Sequence, residues 1–173
     1  MKTPITHLSH LSACREAVDW VNSTNLDSLE DAWLKCDRAD WLLWYAGKKA
    51  GPVGSESRSK IVLIACECAE LVLPIFEKEY PKDDRPRKAI EAARAYALKP
   101  TKELASAASN AASAASYVAT NAADAANAAN AAYAASYAAS DAAKKDIQAK
   151  CIAIVRKYFP SLPVEDAGKE TRE

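Results

Sequence analysis

The residue group best suited to molecular recognition consists of Arg38, Asp40, Trp44 and Tyr45. Arginine presents a planar set of donors that fits carboxylates and phosphates, and tryptophan and tyrosine are enriched at binding hot spots. The same aromatic residues also fill protein cores, and a core position is what we expect for the neighbouring Trp41. Tyr45 precedes a glycine-rich loop and is expected at the surface. We therefore predict that the four residues of this group contact a partner or line a pocket.

A second group of charged residues opens a predicted helix farther along the chain. It contains Asp84, Arg85 and Arg87, which surround a proline in the first turn. Two arginines at such a position could bind an anionic ligand, with Tyr133 and Tyr137 from an alanine-rich tract completing the pocket. The alternative is a solvated helix face that binds nothing, which explains the modest positive charge of this region without nucleic acid.

Glu67 is the third candidate, because most of its predicted helical neighbours are apolar. A carboxylate on such a helix needs a partner, and the same holds for the nearby Glu70. We favour a partly buried network of ion pairs with arginines that holds the helices together. The other interpretation is a charged pocket for an anionic ligand or a partner loop, and the sequence leaves the choice open.

No nucleophile, base and orienting group occur together, so we predict no catalytic residue and no enzymatic activity. The histidines, His7 and His10, could share one helix face with Cys14, but three ligands near a chain end without a fourth predict neither a metal nor a cofactor. The five cysteines form an odd number without framework spacing. They are expected to be reduced thiols in a cytoplasmic protein.

The elements that position these residues are predicted to be helices. The chain has 173 residues, of which 38 are alanine and only 4 are glycine, and it contains no alternating strand-like runs. We predict an all-α fold, a single helical bundle of about six to seven helices that covers residues 1–160. Residues 161–173 are predicted to be a disordered polar tail.

Capping residues and periodicity predict the helix boundaries. The first helix should run from about Pro4 or Ser9 to Val21, and the second should begin after a capping box at Ser28. Asp37 or Asp40 should cap a continuation that stops at Gly47. The longest apolar stretch predicts a central helix over residues 57–80, with a kink at Pro74.

The alanine-rich tract, residues 105–143, should also be helical, because alanine has the highest helix propensity. Its polar residues recur every three or four positions and therefore wind around the helix. They should pack against neighbouring helices, with a polar-lined groove as the alternative. A single helix through residue 158 would be longer than such a domain is wide, so we expect a break at Ser140-Asp141 or at Thr120-Asn121.

The charge balance excludes two classes of partner. Lysine and arginine together number 23, as do aspartate and glutamate, so binding to nucleic acid or to an anionic membrane through bulk charge is not expected. Residues 61–76 are the most apolar run, but they include two glutamates and are too short to span a bilayer. The N-terminus lacks the apolar region of a signal peptide.

Several short motifs are distinctive: ACREAVDW at 13–20, DWLLW at 40–44, IACECA at 64–69, DRPRKAIE at 84–91 and IVRKYFP at 154–160. Together they resemble the Imm5-like family of bacterial and phage immunity proteins. The resemblance covers residues 13–160. It implies a small intracellular helical protein that neutralises a toxin or a defence factor by binding it, and it supplies no catalytic residues.

These observations favour a non-enzymatic inhibitor that binds a toxin or a defence protein stoichiometrically. The first alternative is a small-molecule binder that sequesters an anionic nucleotide signal. The second is a structural helical module that acts through an exposed alanine face. The sequence does not identify the toxin or ligand, nor the oligomeric state.

Overall fold

The computed structural model describes residues 4–24, 26, 28–52, 54–101, 103–104 and 133–164, without the side chains of residues 75, 79 and 133–144. In these ranges the chain forms helices and no strand, which confirms the predicted all-α fold. The helices are α1 (Pro4–His10), α2 (Arg15–Ser23), α3 (Leu29–Lys35), α4 (Ala39–Lys49), α5 (Glu56–Glu79), α6 (Arg85–Leu98) and α7 (Tyr133–Tyr158).

Serine side chains cap two of these helices. Ser28 accepts a hydrogen bond from the backbone N–H of Asp31 at 3.0 Å and donates to its carboxylate at 2.7 Å, which confirms Ser28 as the N-cap of α3 but not the return bond to its own N–H that completes a capping box. Ser55 accepts from the backbone N–H of Arg58 at 3.3 Å and starts α5. Helix α5, Glu56–Glu79, begins and ends within one residue of the central helix predicted over residues 57–80.

The first predicted helix is wrong, because the chain forms two helices with a turn between them. Ser12 has a φ of 61°, in the left-handed region. The N–H of Ala13 bonds to the carbonyl of Leu8 and the N–H of Ser12 bonds to that of Ser9, each at 3.0 Å. This pair of bonds is the Schellman motif that ends a helix, here with serine where glycine is usual.

The boundaries predicted for α4 also need correction. Its N-cap is Arg38, not Asp37 or Asp40, and the helix continues through Gly47 to Lys49. A glycine costs an exposed helix interior only about 1 kcal/mol. Leu42, Tyr45 and Ala46 are buried in the core, and their burial on the N-terminal side of Gly47 offsets that cost.

Helix α5 is the centre of the bundle, as its apolar sequence predicts. It packs against α4, α6 and α7. Helix α7 also contacts α4, and α1 contacts α2. The largest side chains that are completely buried are Ile64 on α5 and Val155 on α7. The core therefore joins residues that are far apart in the sequence.

The break predicted at Ser140-Asp141 is absent, because α7 runs without interruption from Tyr133 to Tyr158. Alanines on both sides of this pair favour helix more strongly than Asp141 favours a cap. The second predicted break, Thr120-Asn121, lies outside the described residues, as does most of the alanine-rich tract.

The residues next to the predicted start of the tail make contacts with α3. The backbone N–H of Leu162 donates to the Glu30 carboxylate at 3.1 Å, and Pro163 is buried. Trp33 donates its indole N–H to the carbonyl of Phe159 at 3.2 Å. Leu162 therefore contacts α3, and composition alone does not detect such a contact. Residues 165–173 lie outside the described part of the chain.

Candidate functional site

A cleft of about 440 Å³ lies between the starts of α2 and α4 and contains three of the predicted site residues. We call it the Arg38 cleft. It is lined by Ser12, Cys14, Glu16, Ala17, Arg38, Asp40, Trp41 and Trp44. Its volume falls in the usual range for ligand and partner pockets.

The Arg38 guanidinium is held on three sides. Its Nε and Nη2 donate to the two carboxylate oxygens of Asp40 at 2.9 and 2.7 Å. Its Cζ lies 4.5 Å from the ring centroid of Trp41, and its Nη1 lies 3.9 Å from the Glu16 carboxylate. This bidentate, stacked arrangement fixes the orientation of the guanidinium before any partner arrives.

The same contacts fix the charge of the carboxylate. The hydrogen bonds from Arg38 hold the pKa of Asp40 below its ordinary value, in spite of the opposing effect of partial burial. Asp40 therefore stays ionised at neutral pH and keeps Arg38 in place. The cleft thus presents a matched pair of opposite charges, both of which remain partly exposed.

Aromatic rings form the wall of the cleft. Trp41 packs edge-to-face on Trp20 of α2, with ring centroids 5.9 Å apart. Trp44 lies one turn farther along α4 and is partly exposed, with the ammonium of Lys48 at 5.7 Å from its ring centroid. The sequence did not single out Trp20 or Glu16, which only the packing of α2 on α4 brings to this place.

Tyr45 is a core residue, so its expected surface position is wrong. It is 7% exposed, and its ring centroid lies 6.1 Å from that of Trp33 and 6.2 Å from that of His7. Its hydroxyl is 3.4 Å from Nε2 of His7. The reason is helical periodicity, because Tyr45 follows Leu42 on the buried face of α4 whereas Trp44 follows Trp41 on the other face.

The arginines at the start of α6 are already paired with carboxylates. Arg85 makes two hydrogen bonds with Asp83, at 2.9 and 2.7 Å, and Arg87 makes two with Glu77, both at 2.7 Å. Asp84 pairs with Lys88 at 2.7 Å. An open cleft of about 580 Å³ at residues 80–85 includes Asp84 and Arg85 but shares no lining residue with the Arg38 cleft. The side chains of Tyr133 and Tyr137 lie outside the described residues.

Glu67 takes part in a polar network between α5 and α7, but its partners are not arginines. It accepts a hydrogen bond of 2.5 Å from the Tyr158 hydroxyl and bonds of 3.2 Å from the Lys157 ammonium. The Tyr158 hydrogen bond is the main reason why the pKa of Glu67 is lowered. Glu70 does pair with an arginine, because Nη2 of Arg94 on α6 lies 2.7 Å from its carboxylate. These contacts support the interpretation that the glutamates of α5 hold helices together.

Two apolar spaces are weaker candidates for recognition. All four tryptophans line a cavity of only about 50 Å³ in the core, too small for most organic ligands. A groove of about 510 Å³ between α5 and α6 has no charged residue in its described lining and so offers nothing to orient a partner. The groove residues are Ile61, Val62, Ala65, Cys66, Ala69, Val72, Leu73, Phe76, Pro86, Ala89, Ile90 and Ala93.

The described ranges show neither a metal-binding cluster nor a membrane-spanning helix. They contain no group of three or more histidine, cysteine, aspartate or glutamate residues that could hold a metal ion. None of the helices described is both long enough and apolar enough to cross a bilayer.

The comparisons with known proteins gave one match. A family model described as "Imm-5 like putative immunity protein" matches residues 51–155, which is more than half of the chain. The matched stretch contains α5, α6 and most of α7. Neither the search of curated proteins nor the search of solved structures found a match.

Proposed function

Because the chain belongs to the Imm-5 like family, whose members are described as immunity proteins, we propose that it binds a toxin or another effector protein and holds it inactive in a stoichiometric complex. Binding alone accounts for this activity, so the proposal assigns no chemical step to the chain. The family points to a protein partner, and the site chemistry points to where that partner binds.

The observation that carries the proposal is the fixed guanidinium of Arg38 beside partly exposed Trp44. Arginine and tryptophan dominate binding hot spots, and hot spots lie in well-packed surroundings. Ordering a free arginine on binding costs rotamer entropy. Asp40 and the Trp41 ring already restrict the Arg38 side chain, so much of that cost does not arise on complex formation.

The chemistry of the cleft also defines the matching surface on the partner. A backbone carbonyl or a carboxylate would accept from the outer edge of Arg38, and an apolar side chain would pack on the Trp44 ring. A protruding loop of mixed polarity supplies both groups. A nucleic acid lacks the apolar side chain and would bring its phosphates against Glu16 and Asp40.

The nucleotide-binding alternative has weaker support. The arginines that would bind the phosphates, Arg85 and Arg87, each donate two hydrogen bonds to a carboxylate of the same protein. An anionic ligand would approach beside those carboxylates against their repulsion, and the cleft at residues 80–85 holds no tryptophan like those beside Arg38. We therefore place partner binding at the Arg38 cleft instead.

A growth assay tests this proposal. The products of the genes that flank this one are expressed singly in a bacterial host, and any product that arrests growth is co-expressed with the wild-type chain or with a variant. We expect the wild type to restore growth, and Trp44→Ala and Arg38→Ala to restore it much less at equal protein levels.

Arg85→Ala is the matched control. Arg85 makes the same kind of exposed bidentate pair with an aspartate two residues away, but it has no tryptophan beside it in the cleft that it lines. This variant should protect as well as the wild type. If Arg85→Ala alone lost protection, the partner would bind at the start of α6 instead. If the wild type failed to restore growth against every toxic product of the flanking genes, the immunity function would be contradicted.

A further inference from the structure

The small core cavity and the Arg38 cleft are neighbours in the structure. Ala17, Trp41 and Trp44 line both spaces, so the cavity and the cleft share one wall. Ala17 is buried, whereas the two tryptophans of this wall are partly exposed. The cavity is too small to bind most organic ligands by itself, but its position connects it with the proposed partner site.

We propose that the cavity is an apolar subsite of the Arg38 cleft and takes the tip of an aliphatic side chain of the partner. The inference rests on the proposed function and specifies it further, because it names the chemistry of the apolar group that arrives at Trp44. A valine, leucine or isoleucine on a protruding loop of the partner carries such a tip.

The lining of the cavity favours an apolar group over water. Its described residues include no charged side chain. Among the buried lining residues with a polar group, Trp33 and Cys36 each donate to a backbone carbonyl. The Tyr45 hydroxyl lies 3.4 Å from Nε2 of His7. A buried water needs several polar partners, so these walls suit a methyl group better than a water molecule.

The volume of the cavity limits the size of the occupant. The cavity measures about 50 Å³, which is room for roughly one or two groups the size of a water molecule or a methyl group, at about 30 Å³ each. An aromatic ring does not fit, because a dry cavity that binds benzene has a volume of about 150 Å³. The cavity therefore selects the end of an aliphatic side chain.

Trp44 is the part of the shared wall beside which the partner side chain enters. The Trp41 ring is held between two groups, since the Arg38 guanidinium lies 4.5 Å from its centroid and the Trp20 ring lies 5.9 Å away. The Trp44 ring is partly exposed and has the ammonium of Lys48 beside it at 5.7 Å. Exposed side chains change rotamer readily, so we expect Trp44 to move aside when the partner binds.

Xenon tests the cavity without the partner. Xenon is an apolar atom that binds dry cavities, and NMR spectra of the wild-type chain under xenon pressure report where it binds. We expect the methyl resonances of Val21 and Leu42, which line the cavity, to shift in a saturable way. Val21→Ile adds a methyl group to the lining and should abolish the shift at Leu42. Wild-type Val21 and Leu42 resonances that xenon leaves unchanged would overturn the proposal.

Binding of the growth-arresting protein tests the occupant. Val21 lines the cavity but not the Arg38 cleft, so Val21→Ile fills the subsite and leaves the cleft residues unchanged. We expect the dissociation constant to rise by about four- to fifteenfold, because burying one methyl group contributes about fourfold to affinity. Val62→Ile is the matched control, since it makes the same substitution in the groove between α5 and α6. It should bind the partner and respond to xenon like the wild type.

The results of these measurements separate the subsite from the proposed function. Equal binding by Val21→Ile and the wild type, or an equal loss in Val62→Ile, would overturn the subsite and leave the Arg38 cleft as the partner site. Absence of binding by the wild type would contradict both. If Val21→Ile does not fold, Ala32→Val replaces it, because Ala32 lines the cavity from α3 and does not line the cleft.

Discussion

The Arg38–Asp40 and Arg85–Asp83 pairs have the same chemistry in different surroundings. Each guanidinium donates two hydrogen bonds, of 2.9 and 2.7 Å, to an aspartate two positions away. Only Arg38 also stacks on a tryptophan and lines a cleft with a second one. An exposed ion pair contributes little by itself, so the aromatic surroundings make the first pair the better recognition site.

Glu67 gives a residue-level prediction about stability and pH. Glu67→Gln removes the charge that accepts hydrogen bonds from Tyr158 and Lys157, and we expect the free energy of unfolding at pH 7 to fall by about 1–2 kcal/mol. The pKa of Glu67 in the folded protein is below the ordinary 4.5. Its stabilising effect is therefore complete above that value and is lost as the pH falls through the folded pKa.

Urea unfolding at a series of pH values measures this effect. The wild type and Glu67→Gln should differ at pH 7 and converge in acid, as the pH falls through the folded pKa of Glu67, which lies below 4.5. Tyr158→Phe is the control for the donor side, and together with Glu67→Gln it completes a double-mutant cycle. A difference that stays constant from neutral to acid pH would show that lost packing, not the charge, explains the effect.

At the scale of elements, Arg156 connects α7 to the end of α3. Its Nη2 donates to the carbonyls of Leu34 and Cys36, at 2.7 and 3.0 Å, which are among the acceptors left free where a helix ends. We expect Arg156→Ala to lower the free energy of unfolding by about 1–3 kcal/mol, measured by chemical denaturation.

A lysine on the same helix is the control for Arg156. Lys150 forms an exposed pair with Asp146, four residues earlier on α7. Lys150→Ala should change stability by no more than about 0.5 kcal/mol. Equal effects of the two substitutions would contradict the view that Arg156 joins two helices.

The turn between α1 and α2 gives a prediction about the backbone. Ser12 has a φ of 61°, which glycine adopts without steric cost and β-branched residues strongly disfavour. Ser12→Gly should therefore be more stable than Ser12→Val by about 1–2 kcal/mol in urea unfolding. The reverse order would show that the chain does not use the left-handed turn.

Local signals explain which elements could be predicted from the sequence. The N-cap at Ser28 depends on a few neighbouring residues, and α5 follows from one continuous apolar run. The sequence therefore predicts both elements. The end of α1 was missed because serine occupies the position where glycine normally marks the motif. The continuity of α7 was not predicted, because Asp141 can be either the N-cap of a new helix or an interior residue of one long helix.

Contacts between distant residues explain what could not be predicted about the site. The sequence groups Arg38, Asp40 and Trp44 because their residue types are informative and they lie close together along the chain, and the structure places them in one cleft. Both faces of α4 carry aromatic residues, so the sequence could not show that Tyr45 lies on the buried one. Lys157 and Tyr158 are about 90 positions from Glu67, and only the packing of α7 on α5 identifies them.

At the scale of the whole molecule, the family match and the candidate site occupy different parts of the chain. Residues 51–155 contribute the central helix α5 and its neighbours α6 and α7, whereas the Arg38 cleft is built from residues 12–44. We therefore propose that partner choice depends on the helices that precede the matched stretch, which also supply most of the buried hydrophobic residues.

Isothermal titration of the purified growth-arresting protein with this chain tests that central claim most directly. We predict a one-to-one complex with the wild type, unchanged affinity for Arg85→Ala, and affinity at least about tenfold weaker for Trp44→Ala. Circular dichroism of the variants ensures that each is folded. One-to-one binding that Trp44→Ala and Arg38→Ala leave unchanged would contradict the assignment of the Arg38 cleft, and the absence of binding by the wild type would contradict inhibition by complex formation.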